Sequence, residues 1–312
     1  MKEKVMNMLE QLAHQAQSQK EIFKYKAYVR ARQTLQEHKE PIYDVSHFKD
    51  LPGIGVSIMK KIQEWVDTGK LEALEKNKAQ QSDIADLIDI HGIGPVKALA
   101  LYKQDVTKDN IKDHLHLLND AQQKGVKYKD DFALRIPRQE MKKHEALLRQ
   151  ALEALDIPNS VLEVVGSYRR REKTSGDIDV LLTLDASQKA DMICMFRRFI
   201  DRLRCMQYVV DHLAHGNKKF MGVCQVSKKK PMRRLDILWT EPSVFPFSLL
   251  YFTGPQSFNI RMRERAHEKG YKLSEYGLEP IDQTHPDPPM IKEEKDIFAF
   301  LDMEYSSPHT RK

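Results

Sequence analysis

Apolar residues recur at intervals of three and four in Val5, Met8, Leu9 and Leu12, and again in Ile58, Ile62, Trp65 and Val66. That spacing predicts amphipathic helices through residues 1–77, where no strand-like run occurs. From 78 to 134 the pattern stays helical, with Ile84, Leu87, Ile88, Ala98, Leu99 and Leu101 as expected core positions. Pro137 marks a change of pattern. After about residue 140, a helical stretch gives way to short runs rich in aliphatic residues: Val161–Val165, Ile178–Leu182 and Arg234–Trp239. These predict a mixed sheet flanked by helices. A smaller unit follows Pro246, with Leu249–Gly254 and a helix-like stretch from Ser257 to Lys269. The Pro-rich segment His285–Pro289 is expected to separate it from a polar C-terminal tail. The chain therefore reads as an α+β multidomain protein divided at 1–77, 78–134, 135–244 and 245–312.

One short motif occurs twice. Leu51-Pro52-Gly53-Ile54-Gly55 and His91-Gly92-Ile93-Gly94-Pro95 each place Gly-Ile-Gly between helical segments, 39 residues apart. Glycines around an apolar residue permit a tight turn, and the helix that follows presents unpaired N–H groups and a positive dipole end. Such a turn suits phosphate, and it grips a nucleic-acid backbone without reading bases. Gly53, Gly55, Gly92 and Gly94 are thus candidate DNA contacts. Positive φ is expected at Gly94, where a β-branched residue would be disfavoured.

Composition narrows the class. At 312 residues, with 41% hydrophobic and 31% charged side chains, the chain suits several globular units with a charged exterior. No apolar run approaches the roughly 18 residues that a membrane span needs. The opening segment from Met1 to Phe23 lacks the apolar stretch of a secretory signal and the Arg-rich look of a transit peptide. Cys194, Cys205 and Cys224 form no CxxC pair, so they read as ordinary thiols in a reducing compartment. The net charge of +6 is modest, but seven residues between Lys218 and Arg234 are Lys or Arg. This stretch reads either as a solvated loop around Lys228-Lys229-Lys230 or as a basic flank guiding a polyanion to the acid that follows.

That acid is Asp236, on a predicted strand. On another, Ser175-Gly176-Asp177-Ile178-Asp179 places Asp177 and Asp179 two apart, on one face. If the two strands are neighbours, three carboxylates converge, and hard oxygen ligands of this kind suit Mg²⁺ that also binds substrate phosphates. Two such ions roughly 3.5–4 Å apart clamp both the attacking and the leaving oxygen of an in-line displacement. Eleven residues before Asp177 begins Gly166-Ser167-Tyr168-Arg169-Arg170, a source of amides, a hydroxyl and guanidinium groups for a triphosphate.

In these motifs, and in Arg135-Ile136-Pro137-Arg138, Lys219–Gln225, Arg233-Arg234-Leu235-Asp236 and Tyr251-Phe252-Thr253-Gly254, the chain resembles the family X DNA polymerases over nearly its whole length. The resemblance implies an all-helical N-terminal 5′-deoxyribose-phosphate lyase domain with a helix-hairpin-helix, then a polymerase with a nucleotidyltransferase-type mixed-sheet palm. It implies catalysis with two Mg²⁺, Mn²⁺ being able to stand in, and it admits monovalent cations at the hairpin loops. By motif position, Arg135, Ser167, Arg170, Ser175 and Gly176 are expected to hold the incoming triphosphate. Tyr251, Phe252, Gly254 and Asn259 are expected around its sugar and base, and Lys219, Arg234 and Arg263 on DNA. In the lyase part the resemblance implies Lys61 as the Schiff-base amine, with Lys24, Tyr28 and Lys49 near the 5′-phosphate.

Some residues depart from the family pattern. Ser57 and Ala73 stand where lysine is usual, and Gln256, Ile260 and Leu238 replace more polar residues. The implied function is gap filling in base-excision repair, by an intracellular monomer, nuclear if eukaryotic. Its partners are gapped or nicked DNA, dNTPs and other repair proteins. A template-independent nucleotidyltransferase and a non-catalytic DNA-end binder are the alternatives from other classes.

Overall fold

The computed structural model describes residues 1–18, 21–157, 159–183 and 192–311. It forms two compact units, Met1–Asp89 with Ile93–His114, and Ile90–Gly92 with Leu115–Lys312.

The first unit is helical. Helix α1 (Lys2–Ser18) buries Val5, Met8, Leu9 and Leu12 against α2 (Ile22–Glu37) and α3 (Val56–Thr68), whose Ile58 and Ile62 join the same core. Gly69 ends α3 in the left-handed conformation at φ 69°, which spares it the Cβ clash. Helix α4 (Glu72–Ile88) runs unbroken through the boundary expected at residue 77, since no Gly or Pro interrupts it. Helix α5 (Pro95–Tyr102) follows the second Gly-Ile-Gly. Leu87, Ala98 and Leu101 are buried as the spacing predicts, whereas Ile88 and Leu99 are exposed.

The second unit opens with α6 (Asp120–Lys127), α7 (Lys129–Ala133), strand β1 (Ile136–Pro137) and α8 (Arg138–Glu153). Then come β2 (Val161–Val164), the single turn α9 (Gly166–Arg169), β3 (Thr174–Ser175), β4 (Ile178–Thr183) and α10 (Met192–Cys205). Strands β5 (Val209–His215), β6 (Lys219–Cys224) and β7 (Arg233–Thr240) complete a five-stranded sheet of order β2-β4-β7-β6-β5. Its pairings are antiparallel except β4 with β7, which is parallel. Alternation does the rest. Ile178, Val180, Leu182, Leu235, Ile237 and Trp239 pack with Phe196, Phe199 and Leu203 of α10 on one face. Residues of the other parity, Asp179 and Asp236 among them, point to the other face.

Beyond the sheet, α11 (Phe245–Thr253), α12 (Gln256–Glu268), the hairpin of β8 (Tyr271–Ser274) with β9 (Gly277–Pro280), and α13 (Glu294–Phe300) share one further core. The segment expected to be a polar tail belongs to it: Ile297, Phe298 and Leu301 are fully buried, and the Arg311 guanidinium lies over the rings of Phe258 and Phe298. Three apolar side chains at positions i, i+1 and i+4 are too sparse to show as periodicity among charged neighbours.

One buried pair anchors β7. Arg233, from the expected polyanion-binding flank, is 4% exposed, donates to Glu140 Oε1 of α8 at 2.8 Å and to the Leu134 carbonyl at 2.6 Å. It therefore has no access to a ligand. Burial alone would raise the Glu140 pKa, but the Arg233 hydrogen bond and charge outweigh it and hold the carboxyl below its ordinary value. Removing one partner of a buried pair strands the other. Arg233→Met is expected to cost about 3–5 kcal/mol in urea denaturation, and adding Glu140→Leu should restore most of it. An unaltered midpoint in the single variant contradicts the anchoring role.

Candidate active site

Register brings the acids together. In the parallel β4–β7 ladder Asp179 lies directly beside Asp236, and Asp177 sits in the bend just before β4 rather than on the strand itself. All three are partly buried, and each offers an oxygen within 4.8 Å of the others. Gly166 makes room for them. Its φ is +59°, and a Cβ there would come 2.5 Å from Asp179 Oδ2, so both its conformation and its neighbour exclude a side chain.

The electrostatics show how crowded the cluster is. Burial first, then the Asp236 charge, push the Asp179 pKa up to about 6, against the pull of Arg170 and Lys219. Burial also raises Asp236, opposed by Arg234, Lys219 and His91. The Arg234 guanidinium contacts the Asp177 carboxylate, and its Nε stands 4.0 Å from Asp236. Asp236 Oδ1 is buried with no hydrogen-bond partner among the described residues. An orphaned anionic oxygen beside two more carboxylates is the donor set of a hard divalent cation, so the residues present fit Mg²⁺.

Around this cluster several of the other expected residues gather. Ser167 Oγ donates to Ser175 Oγ at 2.9 Å, and β1 pairs with β3 so that Ile136 opposes Ser175. Arg135 is held by Thr174, through Oγ1 at 3.1 Å and the carbonyl at 2.8 Å. A Cβ on Gly176 would meet Arg135 Nη1 at 3.1 Å. The two arginines of the Gly-Ser turn differ. Arg169 is committed to Thr253 Oγ1 at 2.7 Å and to both oxygens of Glu294, so its guanidinium is taken, contrary to the expectation that it serves a triphosphate. Arg170 makes one such bond, to the Thr253 carbonyl at 2.7 Å, and acts on Asp179 through its charge. Asn259 holds the Tyr251 carbonyl at 2.7 Å, Arg263 bonds the Asn259 carbonyl at 3.3 Å, and the Tyr251 and Phe252 rings meet edge to face. Gly254, at φ +63°, stands beside Arg170.

Within the first unit a cavity of about 560 Å³ is lined by Lys24, Tyr28, Gly53, Gly55 and Lys61. Ser57 and Ala73, the positions without lysine, line it too, and Lys61 Nζ donates to Ser57 Oγ at 3.3 Å. Lys49 does not line it. In both hairpins positive φ falls on the first glycine, +85° at Gly53 and +86° at Gly92, whereas Gly94 has φ −87° and open space around it. The conformational demand expected at Gly94 is therefore at Gly92, whose carbonyl also receives Gln122 Nε2 at 3.0 Å. The pattern missed His91, whose pKa is lowered by burial and then by Arg234 while Asp236 opposes. No motif links position 91 to position 236, 145 residues on.

Convergent carboxylates on a mixed sheet, with a glycine-serine turn at their edge, fit the class of sites that bind a divalent metal and phosphate together. Comparison narrows the class to one family. Residues 135–242 match the family described as DNA polymerase beta palm, 248–312 the DNA polymerase beta thumb, and 1–71 a helix-hairpin-helix domain. The chain belongs to the family X DNA polymerases. It is 32% identical over 308 residues to DNA polymerase lambda of Arabidopsis thaliana, covering 91% of this chain and 57% of that protein. To DNA polymerase lambda of Rattus norvegicus it is 30% identical, covering 98% and 56%. To the DNA polymerase/3′-5′ exonuclease PolX of Bacillus subtilis (strain 168) it is 24% identical, covering 83% and 46%. The chain thus spans little more than half the length of the first two relatives. No helix among the described residues is long and apolar enough to cross a membrane.

The raised Asp179 pKa makes a prediction for the metal-free protein. A carboxyl protonated more readily when folded than when unfolded loses stability as pH rises from about 4 through 6. Asp179→Asn is accordingly expected to add up to about 3 kcal/mol of stability at pH 7.5 in EDTA, seen as a higher Tm, and to give no gain near pH 4. A lower Tm at pH 7.5 contradicts the repulsive cluster.

Proposed function

We propose that this chain is a template-directed DNA polymerase that fills short gaps during base-excision repair, and that its first helical unit is a 5′-deoxyribose-phosphate lyase. The observation that carries the polymerase reading is the Asp179–Asp236 pairing across β4 and β7, with Asp177 within 4.8 Å. In this reading residues 135–242 are the palm, the segment after it selects the nucleotide, and the two Gly-Ile-Gly turns grip gapped or nicked DNA.

Asp177 and Asp179 would each ligand two Mg²⁺, and Asp236 would ligand the one nearer the primer. When bound, these ions supply charge neutralisation at the phosphates and a lowered pKa for the primer 3′-hydroxyl. The chain's own groups do the rest. Arg135, Arg170, the Ser167 and Ser175 hydroxyls and the amide of Gly176 hold the triphosphate in line, and Asp236 is placed to receive the 3′-hydroxyl proton. Tyr251, Phe252, Gly254 and Asn259 bound the sugar and base, and Arg263 reaches the template. Lys219 and Arg234 would supply cations for DNA phosphate. Retention of all three acids argues against a non-catalytic end binder, and the paired hairpins with Arg263 favour templated over untemplated addition.

The lyase reading rests on the cavity that Lys61 shares with Lys24, Tyr28 and the first hairpin. Such a lysine attacks the aldehyde of an abasic sugar as the neutral amine. Lys49 and Lys24 would supply phosphate contacts at and beside the cavity.

Asp236→Ala is expected to lower single-nucleotide gap filling by at least about 10³-fold, a loss on the scale of removing a group that acts in the transition state. Gapped-DNA affinity should stay within about threefold, since phosphate contacts dominate binding. Extension near the wild-type rate would sink the two-metal reading. Separately, Lys61→Ala should lose most borohydride-trapped complex with 5′-deoxyribose-phosphate DNA while keeping gap filling. Undiminished trapping would move the amine elsewhere.

A further inference from the structure

Among the described residues that line the Lys61 cavity one side chain is a carboxylate: Glu21, 38% exposed, with Oε1 2.8 Å from Lys24 Nζ. Its backbone is fixed on both sides, the Glu21 amide donating to the Ala16 carbonyl at 2.8 Å and the Glu21 carbonyl accepting from the Tyr25 amide at 3.0 Å. The placement is odd for a site that takes a phosphate. With Ser57 and Ala73 adding no cation, the wall holds two lysines among the described residues, and Glu21 neutralises one of them. An acid weakens rather than strengthens a site for a dianion, so its place on this wall suits a step that needs a base.

Schiff-base elimination has such a step. Lys61 Nζ adds to the C1′ aldehyde and water leaves, giving a protonated imine. A base must then take a proton from C2′; the C–H electron pair becomes the C2′=C3′ double bond, the C3′–O bond breaks, and the downstream strand departs with its phosphate. Water finally hydrolyses the imine, restoring the amine and releasing the unsaturated sugar phosphate. The imine withdraws electrons from C2′, so a carboxylate is basic enough for the transfer. Gln15, Tyr28 and Ser57, the other polar groups on the wall, are an amide, a phenol and a hydroxyl, none of which is a base at neutral pH.

We infer that Glu21 is the base that removes the C2′ proton. This rests on the lyase reading above. The Lys24 ion pair holds the carboxylate at the cavity wall in the free protein, and the 5′-phosphate, drawing Lys24 to itself, releases Glu21 toward the sugar.

The test uses the full chain and DNA with a 5′-deoxyribose-phosphate flap, and reads two steps. Borohydride trapping reports imine formation, and release of the downstream strand reports elimination. In Glu21→Gln, trapping at early times should equal or exceed wild type, while elimination slows by about 10²-fold or more. The acidic limb of the pH–rate profile should vanish as well, and Glu21→Asp should recover part of the rate. Elimination in Glu21→Gln within twofold of wild type overturns the proposal. So does a variant whose only change is tighter binding of a 5′-phosphate end, which makes Glu21 a simple counter-charge to Lys24. Loss of trapping together with elimination would show that Glu21 acts before the imine, and overturns it too. Absence of trapping in the wild type fails the lyase reading itself, and is distinct from all of these.

Discussion

Three carboxylates held within 4.8 Å of one another repel, and this half of the molecule depends on that repulsion being contained. The parallel β4–β7 ladder contains it mechanically: a one-residue slip would turn Asp179 or Asp236 into the hydrophobic face that packs against α10. Position in the sheet is thus fixed by apolar burial on one side, and the acids inherit it on the other. The raised pKa of Asp179, caused by burial and then by Asp236, is the measure of what the fold withstands without a cation. Partial burial also sharpens the site, because charges there are less screened by solvent than at an open surface.

The arginines divide the work of balancing this charge. Arg233 points inward to Glu140 and ties β7 to α8, while the next residue, Arg234, points the other way to Asp177 and Asp236. Alternation along one strand therefore turns an Arg-Arg pair into one structural and one electrostatic group. Arg169 and Arg170 repeat the division on the short turn α9, Arg169 bound through Glu294 to a second buried arginine, Arg311, and Arg170 left with one bond and a field on Asp179. The motif Gly-Ser-Tyr-Arg-Arg identifies the pair but not which member is occupied.

Where local pattern carries the information, the amino-acid sequence was legible. Val5, Met8, Leu9 and Leu12 are buried as their spacing predicts, and the three strand-like runs are β2, β4 and β7. The acids and the Gly-Ser turn were readable because Asp-X-Asp and the glycines need particular neighbours. What remained hidden depends on partners distant in the chain. Arg233 reads as basic flank until Glu140, 93 residues away, is brought to it, and Thr174, which fixes Arg135, has no pattern at all. The helical character of residues 72–88 was clear, and α4 runs across the division expected at 77 and 78 because no Gly or Pro lies there to end the helix. Nor could the repeat show which glycine of each Gly-Ile-Gly carries positive φ, since that depends on the turn and not on the motif.

The central claim is that Asp177, Asp179 and Asp236 are the shared ligands of two divalent ions. It is tested most directly by a crystal structure of the chain with primer-terminated gapped DNA, Mn²⁺ and a non-hydrolysable dNTP analogue, with anomalous scattering recorded at the manganese edge. The account predicts two peaks roughly 3.5–4 Å apart, both ligated by Asp177 and Asp179 and one of them by Asp236, with the Arg234 guanidinium withdrawn from Asp177. A ternary complex with the nucleotide bound and no manganese at the three aspartates, Arg234 still seated among them, would contradict it.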